Sequence, residues 1–381
     1  MDLLYGAIIG VVITELYNYL KRKYIRERKV SSLRKVFKNK FEIDNGIIAL
    51  DHAIPYYLKE NIHLRDSGKS LFIEIPSTYR EELKRNGFES RGNTMFSGSS
   101  DLSELLGNLM LENSREVIEL AASETAQDFL KDLNQGHTRF NNPMFGVYKI
   151  RSERISQDEN SGFSIDFYQT DYFTHRTFVN IYNKYKDVPG KFEIKSLQDL
   201  NLYSPFLASF GLGNFLIINQ GNGDEVIIGK RSMGVVVDKG KLHFSMNEAF
   251  SMNDVDEYGN PSFSACLFRG LEEELGISPI FKKYVTSHEF LDLVLGIDRL
   301  EMGITSIARI GLNDTFTFET LKELYSIAKD SKLETTSLLA LPIKNIDVFL
   351  KENSTNVSQG CKMALMALNA RYKAGYLREE V

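Results

Sequence analysis

Residues 269–277 read RGLEEELGI and follow directly on FSACLF at 263–268. Helical spacing through this stretch places Gly270, Glu273 and Glu274 on one face. Arg269, four residues before Glu273, is in register to pair with it. Gly276 stands where a helix would end, because glycine accepts the left-handed backbone of a C-terminal cap. Taken alone, Glu272–Glu274 read as a solvated acidic helix face. Upstream, LGNFLIINQ (212–220), GNGDE (221–225) and VIIGKRS (226–232) form a strand, turn, strand pattern. The Gly and Asp residues between the two apolar runs supply the positive-φ positions of a hairpin turn.

Outward from that segment, composition bounds the rest. The chain has 381 residues, 43% hydrophobic and 25% charged, enough for a tail and two or three domains. A net charge of -5 argues against a generic binder of nucleic acid polymers. Two cysteines, Cys266 and Cys361, form no stapled framework and no zinc pattern.

Charge is unevenly distributed. Residues 21–40 carry ten Lys or Arg and one acid. The run Leu3–Leu20 (LLYGAIIGVVITELYNYL) precedes this basic cluster. Eighteen helical residues extend about 27 Å, close to the hydrocarbon thickness of a bilayer. Tyr17 and Tyr19 fall where an interfacial aromatic belt would lie, and the basic flank would stay cytoplasmic. A cleaved signal peptide would place its positive charges ahead of the apolar run, and here Asp2 is the only early charge. The pattern therefore predicts a single-pass anchor over 1–20, with an amphipathic surface helix as the alternative. Glu15 is either solvated near the headgroups or turned toward a neighbouring helix.

Residues 41–195 mix strand and helix signals. Strands are expected at 70–76, 145–150 and 163–168, and a short helix from Ser77 through Leu83. The clearest helix runs from 113 to 133, with Asn113 and Glu116 in a capping pattern and Val117, Ile118, Ala121, Ala122, Phe129, Leu130 and Leu133 on one stripe. Gly68-Lys69-Ser70 lacks the preceding glycine of a phosphate loop, since His63 stands there, and reads as a turn. His137 and His175 lie beside Arg139 and Arg176, and a structural role is the simpler reading for both. No repeat or low-complexity stretch is evident.

The 269–277 segment resembles the second half of the Nudix box, R-E-U-x-E-E-x-G-U with U a bulky aliphatic. Arg269, Leu271, Glu273, Glu274, Gly276 and Ile277 match in order and spacing. The resemblance extends over roughly 200–375: the hairpin ending Gly229-Lys230-Arg231-Ser232 is similar to the family's substrate-facing strand. The run 330–342 and a final helix near Gln359–Tyr372 are similar to its closing elements. The box departs from the pattern at three places, with Val255 for the first Gly, Pro261 for the first Glu and Gly270 for the Glu after the Arg. The resemblance implies an α+β fold, a Nudix-like α/β/α sandwich with a mixed sheet, preceded by a smaller α/β region and one amino-terminal transmembrane helix. The expected division is 1–20 anchor, 21–40 basic juxtamembrane segment, 41–195 α/β middle region and 196–381 degenerate Nudix-like domain.

In active members, carboxylates on this helix bind Mg2+, which activates water against a diphosphate. Here Glu273 and Glu274 are the remaining candidate metal ligands, and Glu248, Asp254, Asp256 or Glu257 would have to substitute for the acid missing at 270. Arg269 and Gly276 keep the structural positions of the box. Lys230 and Arg231 are the candidate phosphate-binding residues, against a simpler reading as a solvated strand end. No residue is assigned a catalytic role.

The whole architecture resembles the transmembrane-Nudix effectors of bacterial cyclic-oligonucleotide antiphage signalling, the SMODS-associated Nudix class. That resemblance implies a cyclic oligonucleotide ligand made by a partner nucleotidyltransferase. It also implies homo-oligomers, a place in the bacterial inner membrane with the body cytoplasmic, and membrane disruption that causes abortive infection. The alternative is a membrane-tethered Mg2+-dependent hydrolase of a nucleoside diphosphate derivative.

Overall fold

The computed structural model describes residues 14–33 (except 22, 25 and 26), 37, 46–88, 96–98, 111, 113–136, 140–154, 161–192, 194, 197–221, 223–235, 238–313, 316–330 and 335–377. After a leading helical segment within 14–37, the first elements are β1 (Ile47–Tyr57), β2 (Ile62–Ile73), α1 (Ser77–Arg85), β3 (Phe96–Gly98) and α2 (Ser114–Asn134). There follow β4 (Pro143–Arg154), β5 (Ser161–Asp171), α3 (Tyr172–Tyr185), β6 (Phe210–Asn219), β7 (Asp224–Arg231), β8 (Leu242–His243) and β9 (Met246–Ala249). The chain closes with α4 (Phe263–Leu275), β10 (Val285–Gly296), β11 (Glu301–Ile310), α5 (Phe318–Ile327), β12 (Thr335–Pro342), α6 (Ile346–Asn353) and α7 (Gln359–Lys373).

Among the described residues, an eight-stranded mixed sheet has the order β1-β10-β11-β6-β7-β12, with β8 on β7 and β9 on β6. Its one parallel pair is β6 with β11, where Gly211 lies beside Gly303. Side-chain alternation makes this sheet two-faced. Leu212, Leu216 and Ile218 of β6 join Ile304 and Ala308 of β11 in one core with Cys266, Leu267 and Leu271 of α4. Phe215 and Ile217 point the other way, with Val226, Ile228 and Ile307, against Ile346, Leu350, Leu365 and Leu368 of α6 and α7. Both faces are covered, as the α/β/α expectation requires.

The smaller sheet, β3-β2-β5-β4, does not form a separate body. Its Phe145, Phe163 and Phe167 belong to the same core as α4. Phe167 packs on Phe210 at 5.6 Å and Phe145 on Phe250 at 5.2 Å between ring centroids. β1, from the expected middle region, is the edge strand of the large sheet, with Ile47 opposite Gly296. Residues on both sides of 195/196 share this core, which takes an edge strand from one side and aromatic rings from both.

Helix ends agree in place and differ in chemistry. α2 begins where expected, but Asn113 adopts a left-handed φ of 53° and makes no side-chain cap. α4 is capped by Ser262, whose hydroxyl accepts from the Ala265 amide at 3.2 Å. Gly276 ends it at φ 69°, and a Cβ there would stand 2.4 Å from the Leu324 carbonyl oxygen. Glycine is required twice over, by conformation and by space.

Of the expected anchor over 1–20, residues 1–13 lie outside the described residues. Among the described residues, no helix is long and apolar enough to cross a membrane. Leu16, Tyr17, Tyr19, Leu20 and Tyr24 are exposed on the leading helix. Farther along, the basic segment docks on the body: Leu33 and Phe37 bury against Ala367 of α7, and Lys29 Nζ donates to the Gly375 carbonyl at 3.2 Å. It is not a free juxtamembrane linker over its whole length.

Phe37 stacks on His52, ring centroids 4.3 Å apart, and lies 5.1 Å from the Arg371 guanidinium. Arg371 and Asp292 are both wholly buried, with Nη2–Oδ1 at 2.6 Å and Nη1–Oδ2 at 3.1 Å. Arg371 also donates to the carbonyls of Ala53, Pro55 and Leu291. His52 Nδ1 lies 2.7 Å from Asp292, and the Thr305 hydroxyl donates to Asp292 at 3.1 Å. Burial pushes the Asp292 carboxyl up, but Arg371 and His52 outweigh it and hold it well below the usual carboxylate range.

Because the folded value is depressed, this pair stabilises the fold fully above pH ~4, the ordinary range of an unfolded Asp, and the contribution fades as acid protonates Asp292. Asp292→Ala leaves a buried guanidinium uncompensated and is expected to cost about 3–5 kcal/mol in urea unfolding at pH 7. Asp292→Leu combined with Arg371→Met should recover most of that loss, and a loss below about 1 kcal/mol in the single variant would refute the account.

Candidate functional site

The acidic face of α4 is organised by Arg269. Its Nε and Nη2 grip Asp254 at 2.8 and 2.9 Å, a two-pronged contact. Nη1 donates to Glu248 at 2.8 Å and to Glu273 at 3.1 Å, and Nη2 also reaches the Ala249 carbonyl at 2.9 Å. One guanidinium thereby holds three carboxylates from β9, the following loop and its own helix. Burial alone would lower the Arg269 pKa; the hydrogen bond to Asp254 and the Glu248 charge raise it well above the ordinary value.

Glu273 is engaged on both oxygens. Oε2 meets Arg269 and Oε1 accepts from Lys329 Nζ at 2.7 Å. Burial pushes it up, while the Lys329 and Arg269 hydrogen bonds more than offset that and leave it below the usual value. Glu274 is buried, and its Oε1 accepts from the Asn247 backbone amide at 2.9 Å, which ties the helix to β9. Gly270 is close-packed: a Cβ there would stand 2.5 Å from Glu248 Cγ and 2.6 Å from Met246 Sδ. The space beside Gly270 is filled by Glu248 and Met246, and Glu248, one of four acids the sequence offered as a further metal ligand, is held by Arg269 instead.

Those carboxylates do not fit a magnesium site. Glu248, Asp254 and Glu273 face a guanidinium, and Glu274 faces a backbone N–H. Asp256 staples its own turn by accepting from the amides of Tyr258 and Asn260. Among the described residues, no group of three or more His, Cys, Asp or Glu side chains is placed to hold a metal ion.

A cleft of about 420 Å³ opens on the opposite face of the sheet, beside the first turn of α7. Its floor includes Gly211 and Gly213 of β6, Gly303 of β11 and Gly296 of β10. Bulk is excluded there for definite reasons. A Cβ on Gly303 would stand 2.8 Å from the Gly211 carbonyl oxygen, and one on Gly213 would stand 2.7 Å from the Phe244 ring. Arg231, Lys241 and Arg299 supply positive charge, and Asp238, Asp298 and Glu301 supply negative. Lys241 pairs with Asp238 at 2.9 Å. His243 also lines the cleft, and burial together with the nearby Arg231 charge lowers it to about 3, so it is neutral at pH 7.

Of the residues expected to bind phosphate, Arg231 lines this cleft. Lys230 is exposed and is absent from its lining, because neighbours on a strand point to opposite faces. Glu273 and Glu274 lie on the α4 side, linked to the cleft only through Asn247, which lines it. Lys241, His243 and Arg299 escape sequence reasoning: His243 lies in the two-residue strand β8, Lys241 just before it and Arg299 in the turn between β10 and β11, with no spacing to join them. The histidine and arginine beside the helix start fare differently. His175 is buried in α3, and burial lowers it to about 4, a core histidine.

No family model and no curated protein matches this chain. Among solved structures, it is similar to the Nudix domain of NrtR from Shewanella oneidensis, complexed with ADP ribose (11% identity, 43% of this chain and 87% of that one, TM-score 0.28). It is similar to a mutT/nudix family protein from Listeria innocua (13% identity, 44% and 96%, TM-score 0.27). An Ap4A hydrolase from C. elegans, in a binary complex, gives 13% identity, 44% and 97%, and a TM-score of 0.26.

If Arg269 occupies the carboxylates, millimolar Mg2+ or Mn2+ should leave the melting temperature of the protein unchanged. Arg269→Met should lower it and make it rise again on adding Mn2+, since a ligand of the folded state stabilises it. A metal-dependent rise in the unsubstituted protein would overturn the assignment.

Proposed function

We propose that the protein is a nucleotide-binding effector, in which a degenerate Nudix-like domain receives a cyclic oligonucleotide in the cleft between the sheet and α7 and does not hydrolyse it. The observation that carries this reading is the pairing of a polar cleft bearing Arg231, Lys241 and Arg299 with an Arg269 that already holds Glu248, Asp254 and Glu273, the last also paired with Lys329. Guanidinium groups match phosphate oxygens in geometry and charge. The lining carboxylates suit ribose hydroxyls and base amino groups, which donate hydrogen bonds.

The finer reading is a membrane-held effector of antiphage defence in the bacterial inner membrane, with its body in the cytoplasm. It would respond to the product of a partner nucleotidyltransferase, oligomerise and breach the bilayer. Supporting it are the apolar run at 3–14, the ten basic residues over 21–40 and the exposed Leu16, Tyr17, Tyr19 and Leu20 between them. A ligand drives such assembly only through unequal affinity for the free and assembled states. Confinement to a membrane raises local concentration and lowers the coupling required. The hydrolase alternative requires a donor set for Mg2+ that the described residues do not present.

Binding is tested by calorimetry with cyclic di- and trinucleotides. Arg231→Ala should weaken the tightest of them at least tenfold, whereas Glu273→Gln should leave its affinity within twofold. In vesicles of anionic lipid, that nucleotide should cause leakage and a rise in particle mass. Removal of residues 1–20 should abolish leakage and spare binding. Failure of every cyclic nucleotide to bind, or magnesium-dependent release of nucleotide that Glu273→Gln abolishes, would overturn the reading.

A further inference from the structure

The large sheet ends differently at its two edges. At one, β1 carries Asp51, His52 and Pro55, and Arg371 occupies the carbonyls of Ala53 and Pro55. Charge, proline and a backbone already engaged all keep a sheet edge from recruiting another strand. At the other edge stands β12, which among the described residues pairs only with β7. Its residues before Pro342 read TTSLLAL, with neither a charged side chain nor a proline. The Tyr325 hydroxyl donates to the Thr335 carbonyl; past that point no described residue hydrogen-bonds the outer backbone of 336–342. Leu338 and Ala340 lean on the core under α4, and Leu341 belongs to the core under α6 and α7. Leu339, on the same side of the strand as Leu341, is left 43% exposed.

The nearest charges run along this edge rather than on it. On β7, Glu225 lies opposite Pro342 and Lys230 opposite Ser337. The β7–β12 ribbon is therefore acidic at its Pro342 end and basic at its Ser337 end. An antiparallel second ribbon turns its acidic end toward the basic end of the first, whereas a parallel one sets like ends together.

We propose that β12 pairs antiparallel with β12 of a second copy of this chain, joining two large sheets into one across a two-fold axis. Such an axis, perpendicular to the sheet, keeps each face on its own side, so directly opposed residues must share parity. Centred on Leu339, the pair sets Leu339 against its own copy, Leu338 against Ala340 and Ser337 against Leu341. One contact then covers the exposed leucine and satisfies both open backbones. A strand pair of this length lies at the small end of specific interfaces, so dissociation is expected in the micromolar range. The pairing needs no ligand and stands apart from the nucleotide reading of the cleft.

The test is sedimentation equilibrium of the full chain, without nucleotide, in a density-matched non-ionic detergent. At tens of micromolar the expected mass is that of two chains, falling toward one on dilution. Leu339→Lys sets a charge against its own copy and should raise the dissociation constant at least tenfold. Its melting temperature should stay within a degree or two of the parent, which separates lost pairing from lost folding. Leu339→Cys, oxidised with copper phenanthroline, should give a disulfide-linked dimer, and Leu120→Cys, exposed on α2, should not. Cys266 and Cys361 are buried, so such a link passes through the introduced thiol. A parent that sediments as one chain at these concentrations would overturn the proposal and leave the edge to a different partner. A dimer that Leu339→Lys leaves intact would overturn it too, and would move the association to another surface such as the leading helix. Neither result bears on what the cleft binds.

Discussion

The buried pair Asp292–Arg371 is the constraint on which the arrangement of the large sheet depends. It lies where β1, β10, β11 and α7 meet, and every donor of the guanidinium ends on a carbonyl of β1 or β10 or on Asp292. An ion pair in such a place stabilises little relative to a well-packed apolar cluster, but it tolerates no partner missing. Its effect is to fix which strand occupies the sheet edge and how α7 lies over it. Thr305 donates to Asp292 and also lines the cleft, so the cleft wall is set from the same centre. Phe37 stacks beside this centre and brings the basic leading segment to the end of α7.

A second polar hub, Arg269, ties β9, the following loop and α4 together. Glycine at 270 lets Glu248 and Met246 close on the helix. Glu248, Asp254 and Glu273 then converge on one guanidinium rather than on an ion. Each of these acids is hydrogen-bonded to Arg269, so recruiting a dication would require breaking an existing ion pair. Glu274 has become a backbone clamp on β9. The same residues hold the helix, β9 and the loop after it together.

The two faces of the sheet divide the work. On the α4 side, aromatic rings from both sheets interlock into one core, with Phe210, Phe250 and Phe263 at centroid distances of 5.1 to 6.1 Å. On the α7 side, the strands that would continue that packing carry glycines instead, and a cleft takes the place of side chains. A cleft between a rigid sheet and a helix start is a preformed site, needing little reorganisation to accept a ligand.

The sequence determined local matters: the helix carrying RGLEEELGI and its glycine stop, the hairpin before it, and α2 with its apolar stripe. These follow from periodicities of 3.6 and 2 and from the conformations glycine alone accepts, all of which act over a few residues. It also put Arg269 in reach of Glu273. Long-range matters were invisible to it. That β1 crosses to the edge of the distal sheet, that Asp254 and Glu248 turn onto Arg269, and that Arg231 and Arg299 face one cleft while Lys230 does not, depend on pairing between residues dozens to hundreds of positions apart. Sequence spacing records which faces a segment has; only packing, which satisfies every buried charge and fills every void at once, decides what each face meets.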